Sequence, residues 1–173
     1  MLNNDKTEDK PMLRQVTWPE GFTAKGKLFL SSMPGRFELL EIFFREIKDA
    51  GVTHLVCLVS DEEIARKSPD YLAAIRANGF PATLWRFEIP DFGMPENIQD
   101  LELMLDRIRG RLDAGESVVI HCAAGHGRTG VVSFDASTYA SVLGAPRLRA
   151  ARGADHKAAR LIPWTSRTSL GFQ

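Results

Sequence analysis

A continuously apolar run, Ser117-Val118-Val119-Ile120, leads without interruption into His121-Cys122-Ala123-Ala124-Gly125-His126-Gly127-Arg128-Thr129-Gly130, and this passage constrains the fold more than any other. Consecutive β-branched residues suit a strand buried on both faces. The stretch from Thr129 to Leu143 is long enough for a helix and contains no proline. The chain is therefore predicted to pass from a buried strand, through a tight loop, into a helix N-terminus, where unpaired N–H groups attract anions.

Each residue type in that loop has a chemical reason to be there. Gly125 and Gly127 permit backbone conformations in which successive N–H groups, those of Ala123, Ala124 and His126 among them, converge as a nest around a dianion. The same field favours thiolate at Cys122, because a thiol at a helix N-terminus or beside arginine falls from about 8.5 to roughly 3.5–7.5. Arg128 offers a planar fork for two phosphoryl oxygens, which lysine cannot reproduce. Thr129 can turn its hydroxyl to the sulfur, and His121 is expected to bond loop backbone rather than substrate. His126 is placed at the rim, where it either adds partial positive charge or is inert.

At these residues the chain resembles the cysteine-dependent protein tyrosine phosphatase superfamily, whose signature is His-Cys, five residues, Arg, Ser or Thr, and Gly. Every fixed position is matched. From about Leu28 to Leu143 the chain is similar to the small dual-specificity phosphatases, especially the kinase-associated type with its Pro-rich acid loop. The resemblance implies a two-step mechanism without metal or cofactor. Cys122 attacks phosphorus, Arg128 and the loop amides hold the phosphocysteine, and an acid protonates the leaving oxygen and then activates water.

Asp91 is the expected acid. It lies in Phe87-Glu88-Ile89-Pro90-Asp91-Phe92-Gly93-Met94-Pro95, thirty-one positions before Cys122, on a proline-bounded loop after the expected strand Ala82 to Phe87. A turn role is the ordinary reading of Asp after Pro, and the signature reverses it. Glu88 is the second candidate acid, with a salt-bridging or solvated role preferred. In some relatives a cysteine on the strand beside the nucleophile captures it as a disulfide, which makes Cys57 a tentative redox partner. Against that stands its ordinary reading as a small core hydrophobe.

The remaining chain is expected to form one α/β domain: a central, mostly parallel sheet flanked by helices, with the phosphate loop between a strand and a helix. Strands are expected at Lys27–Leu30 and Thr53–Val59. Leu39, Leu40, Phe43, Ile47 and Ala50 recur at helical spacing up to Gly51, and Ile98, Leu101, Leu105, Ile108 and Leu112 do so between Pro95 and Gly115. Ser60-Asp61-Glu62-Glu63 reads as a capping box, and Pro69 to Asn78 as a short helix. Residues 1–17 are expected to be a polar tail, 18–146 the phosphatase domain, and 147–173 an atypical segment.

That last segment carries six basic side chains against Asp155 alone. A loosely attached basic tail is the preferred reading, and a reading-frame change near Ser133 the other. His54 and His156 are read as structural or exposed.

With 173 residues, 44% of them hydrophobic, the chain can bury an adequate core, and its net charge of zero gives no polyanion-binding field, so no nucleic-acid partner is expected. The polar N-terminus and the lack of an 18-residue apolar run point to a cytoplasmic protein without membrane anchor. Two cysteines form neither a disulfide framework nor a metal pattern.

The favoured substrate is a phosphorylated protein, at phosphotyrosine and by analogy phosphoserine or phosphothreonine. Ala123 and His126 stand where phosphoinositide phosphatases often have lysine, which makes lipid head groups less favoured. Inositol phosphates, RNA 5′ triphosphate ends, a weak phosphate-binding module and a rhodanese-type sulfurtransferase are the alternatives.

Overall fold

A computed structural model describes residues 11–18, 24–130 and 132. Five strands form one sheet in the order β1-β2-β5-β3-β4, with β1 at Arg14–Gln15, β2 at Leu28–Ser31, β3 at Val52–Cys57, β4 at Thr83–Arg86 and β5 at Ser117–His121. All pairings are parallel except β1 with β2. Four helices intervene: α1 (Leu40–Asp49), α2 (Asp61–Lys67), α3 (Pro69–Arg76) and α4 (Ile98–Asp113). The expected α/β architecture is the one observed.

The apolar run of β5 takes the centre of the sheet, where Val118, Val119 and Ile120 are fully buried. Only a strand covered on both faces tolerates such a run. Phe43 and Ile47 of α1 and Leu101, Leu105, Ile108 and Leu112 of α4 supply the helical side of the core. Leu39 and Ile98, expected on those same faces, are exposed because each stands where its helix begins. Gly51, where the helical spacing was expected to stop, follows α1 in the left-handed conformation at φ +66°.

Two expectations are corrected. Residues 11–17 are not all tail: Arg14 and Gln15 pair with Leu30 and Phe29, while Met12, Leu13 and Val16 pack against the core. A two-residue edge strand carries no periodic signal, so composition alone hid it. The helix after the signature begins at residue 127 rather than 129, and its greater part, the basic segment 147–173 and the proposed frame change lie outside the described residues.

Register aligns the carboxyl ends of the strands. Ser31 and Cys57 both stand opposite His121 across the β2–β5 and β3–β5 ladders. The segments leaving β2, β3, β4 and β5 therefore emerge at one edge, the usual ligand-binding edge of a parallel sheet.

Candidate active site

The segment leaving β5 wraps around the sulfur of Cys122. Its Sγ lies 3.1 Å from the Thr129 hydroxyl oxygen and accepts the Gly125 N–H at 3.2 Å. Burial by itself pushes this thiol up. The Thr129 hydroxyl and the amides of Thr129, Gly125 and Ala124 more than offset that, so its pKa lies below the ordinary thiol value.

Gly125 is required on two counts. It adopts φ +76°, and a Cβ there would stand 2.6 Å from the Ser31 carbonyl oxygen and 2.8 Å from the Ser32 nitrogen, backbone that cannot move aside. Gly127 is different from what the nest predicted: it has no positive φ, and a Cβ would meet nothing within 4 Å. Ala123 is buried and its carbonyl accepts the Met33 N–H at 3.3 Å, whereas Ala124 and His126 are exposed. The His126 carbonyl accepts the Gly130 N–H at 3.0 Å, the first bond of the helix.

Arg128 is held as a fork. Its two terminal nitrogens donate to the two Glu63 oxygens at 2.8 and 3.0 Å, and one of them also to the Ile89 carbonyl at 3.3 Å. Both side chains are buried, and the bonds from Arg128 hold the Glu63 carboxyl at about 2 despite its burial. Glu63 also pairs with Lys67.

Sequence reasoning assigned Glu63 to a capping box, and only half of that box forms. The Glu63 N–H donates to Ser60 Oγ at 3.3 Å, but the carboxylate that should reach back to Ser60 is drawn instead to Arg128.

Asp91 approaches the same guanidinium, at 3.3 Å from its second nitrogen, and its side chain is about half exposed. The loop that carries it is anchored at its root by Ile89 N–H to the Leu58 carbonyl. Beyond that it turns with a bond from Gly93 N–H to the Pro90 carbonyl, placing Phe92 at φ +56°, fully exposed. Glycine or asparagine normally takes that turn position. Glu88 pairs with Arg86 at 3.4 Å, consistent with the salt-bridging role preferred for it. Asp91, Arg128, Arg86, Glu88, Glu96 and Asp100 line one cleft of about 600 Å³.

His121 precedes Cys122 at the end of β5, fully buried, with Nε2 2.6 Å from the Tyr71 hydroxyl and Nδ1 3.3 Å from the Cys122 carbonyl oxygen. Burial lowers its pKa to about 3 and keeps Tyr71 protonated. Only the tautomer with hydrogen on Nδ1 satisfies both contacts: Nδ1–H donates to the carbonyl and Nε2 accepts from Tyr71. His121 thus bonds loop backbone as expected, as a neutral ring.

Tyr71 was missed, since nothing in the sequence of α3 marks it. Cys57 stands opposite His121 in register, its thiol against Tyr71 and 3.6 Å from the Val59 carbonyl. It and Cys122 are both free thiols. Among the described residues, no three His, Cys, Asp or Glu side chains gather as metal ligands.

A buried thiol and a forked arginine thus share one glycine-bearing loop at the carboxyl edge of a mostly parallel sheet. Residues 31–139 match Tc-R-P, the DSP-PTPase phosphatase of polymorphic toxin systems, and the chain belongs to that family.

Among solved structures, a kinase associated phosphatase with its catalytic cysteine changed to serine is similar over 70% of each chain (TM-score 0.59, 20% identity). A putative protein tyrosine phosphatase from Leishmania major is similar over 87% of this chain and 91% of its own (TM-score 0.50, 17% identity). Both likenesses concern the fold.

Two uncharacterized proteins of Methanocaldococcus jannaschii are 43% and 41% identical over 44 residues, 25% of this chain. The match spans under a third of their own lengths, 29% and 27%.

Proposed function

We propose that the chain dephosphorylates phosphorylated proteins through a phosphocysteine intermediate. The Cys122 thiolate attacks phosphorus as the P–O bond to the leaving group breaks, and the Asp91 carboxyl gives its proton to that oxygen. Ionised Asp91 then takes a proton from water as it attacks the phosphocysteine, and thiolate leaves beside the Thr129 hydroxyl. Arg128 and the loop amides carry the phosphoryl charge in both steps. The observation that carries this reading is the setting of Cys122 Sγ, between the Thr129 hydroxyl at 3.1 Å and the Gly125 amide at 3.2 Å.

Phosphotyrosine is the favoured substrate, with phosphoserine and phosphothreonine accepted. Support comes from the cleft beside Arg128, where Glu96 and Asp100 present negative charge while Glu88 is paired with Arg86. Such a lip repels a multiply phosphorylated head group and tolerates one phosphate on a peptide. Two free thiols suit a reducing compartment such as the cytoplasm. Among the described residues no helix is long and apolar enough to cross a membrane.

Metal-free hydrolysis of para-nitrophenyl phosphate tests the chemistry. Activity is expected to vanish in Cys122→Ser and to fall strongly in Asp91→Ala. Phosphopeptides compared with phosphoinositides test the substrate, and preference for the lipids would overturn that part. A folded wild-type chain without turnover would leave only phosphate binding.

A further inference from the structure

The N-terminal segment reaches the phosphate loop. Arg14, on the edge strand β1, donates from Nη2 to the Gly125 carbonyl, across 111 positions of sequence. Three sets of contacts hold that segment in place. The Glu46 carboxylate of α1 accepts the Met12 and Leu13 N–H groups at 3.3 and 3.1 Å. The Val16 N–H donates to the Leu28 carbonyl at 2.8 Å. Met12, Leu13 and Val16 pack on the core. A strap so fixed delivers a guanidinium to one chosen carbonyl.

We infer that Arg14 is a positioning residue for the phosphate cradle, holding the Gly125–His126 peptide so that its N–H faces the bound phosphoryl group. Among the described residues there is no cis peptide bond, and in a trans peptide the C=O and N–H point in opposite directions. Fixing the Gly125 oxygen from outside therefore fixes the His126 N–H on the inner side. The Met33 N–H does the same for the Ala123 carbonyl, at 3.3 Å, and so for the Ala124 N–H, one of the groups that lower the Cys122 pKa. Without an outside donor, the Gly125 peptide is free to turn its oxygen inward, where it would repel an anion. The glycine at that position makes such a flip easy.

This inference rests on the reading of the loop as a phosphate cradle, and its test separates the two. Protection of Cys122 from iodoacetamide by inorganic phosphate reports occupancy of the cradle without requiring turnover. In Arg14→Gln the phosphate concentration giving half protection is expected to rise about ten-fold, the lower end for losing a charged hydrogen bond. Arg14→Lys keeps one charged donor and should recover most of that loss.

Glu46→Ala frees the strap while leaving Arg14 present, and should show the same change to a smaller degree. A strap that merely stabilises the fold would lower the thermal midpoint in Arg14→Gln and Glu46→Ala and leave phosphate protection as in wild type. That result overturns the inference, and should Arg14→Gln fail to fold, Glu46→Ala decides by the same criterion. Wild-type protein that phosphate does not protect removes the cradle reading itself.

Discussion

The two loops that meet at Arg128 are built in opposite ways. The loop after β5 and the strand end before it are tied at their buried positions: His121 by Tyr71, Cys122 by Thr129 and Gly125, Ala123 by Met33, Gly125 by Arg14, and Arg128 by both Glu63 oxygens. The loop after β4 is anchored at Ile89 and then runs over largely exposed ground, touching the other loop where the Ile89 carbonyl and the Asp91 carboxylate meet Arg128. Charge stabilisation needs donors fixed before the reaction, because reorienting them costs free energy at the moment of reaction. In the proposed mechanism Asp91 gives a proton and then takes one from water, which requires that solvent reach it, and its side chain is half exposed. Hydrogen bonds and close contacts are concentrated in the proposed phosphate loop, and the fully exposed Phe92 lies on the part of the other loop that has few of them.

The largest effect expected from breaking this contrast is on the acid side. On the proposed mechanism Asp91→Asn removes the proton donor and leaves the hydrogen bonds of the phosphate loop, so kcat for a poor leaving group is expected to fall about 10²–10⁴-fold. Phosphate binding should be unharmed or tighter, since the carboxylate 3.3 Å from Arg128 competes with phosphate for the same guanidinium. Stopped turnover with retained inhibition by phosphate is the signature to measure. Loss of both together would mean that Asp91 organises the cradle.

Glu63→Gln attacks the rigid side and should act on the fold as well as the chemistry. Leaving a buried arginine without its carboxylate costs about 3–5 kcal/mol, read as a loss of unfolding free energy in urea. The pH dependence follows from the depressed carboxyl. Its folded-state pKa is about 2 against an ordinary 4.5, so its contribution is complete above 4.5 and is lost as pH falls through about 2. Wild type should lose stability across that window, and Glu63→Gln should lose less of it.

Glu63 also shows what the sequence could and could not disclose. The signature from His121 to Gly130 is a contiguous pattern, and the strands and helices around it follow local periodicities, so the parallel sheet and the placing of Cys122, Arg128 and Asp91 at one edge were legible. Glu63 and Tyr71 are joined to that loop across 65 and 50 positions. For Glu63 the local pattern Ser60-x-x-Glu63 favoured a cap, and a buried guanidinium outbid it. Gly125 was legible as a glycine with special backbone, but the close approach of Ser31 belongs to tertiary structure. Gly127 shared its residue type with Gly125 and none of its constraint, and Arg14 lay in a stretch whose polarity reads as tail.

The smallest effect, and the finest division of the rigid loop, concerns the thiolate. Burial raises the Cys122 pKa, and the groups that lower it are one side-chain hydroxyl and several backbone amides. Thr129→Ala removes the hydroxyl and keeps every backbone amide, so it isolates the hydroxyl. The pH midpoint for alkylation of Cys122 by iodoacetamide should move upward, because the charged form loses a donor while burial is unchanged. Turnover at neutral pH should fall about ten-fold, as for loss of one hydrogen bond to a charged group. Thr129→Ser keeps the hydroxyl and should restore both. An unchanged midpoint in Thr129→Ala would assign the activation of Cys122 to the amides alone, and with it to the backbone geometry that Gly125 makes possible.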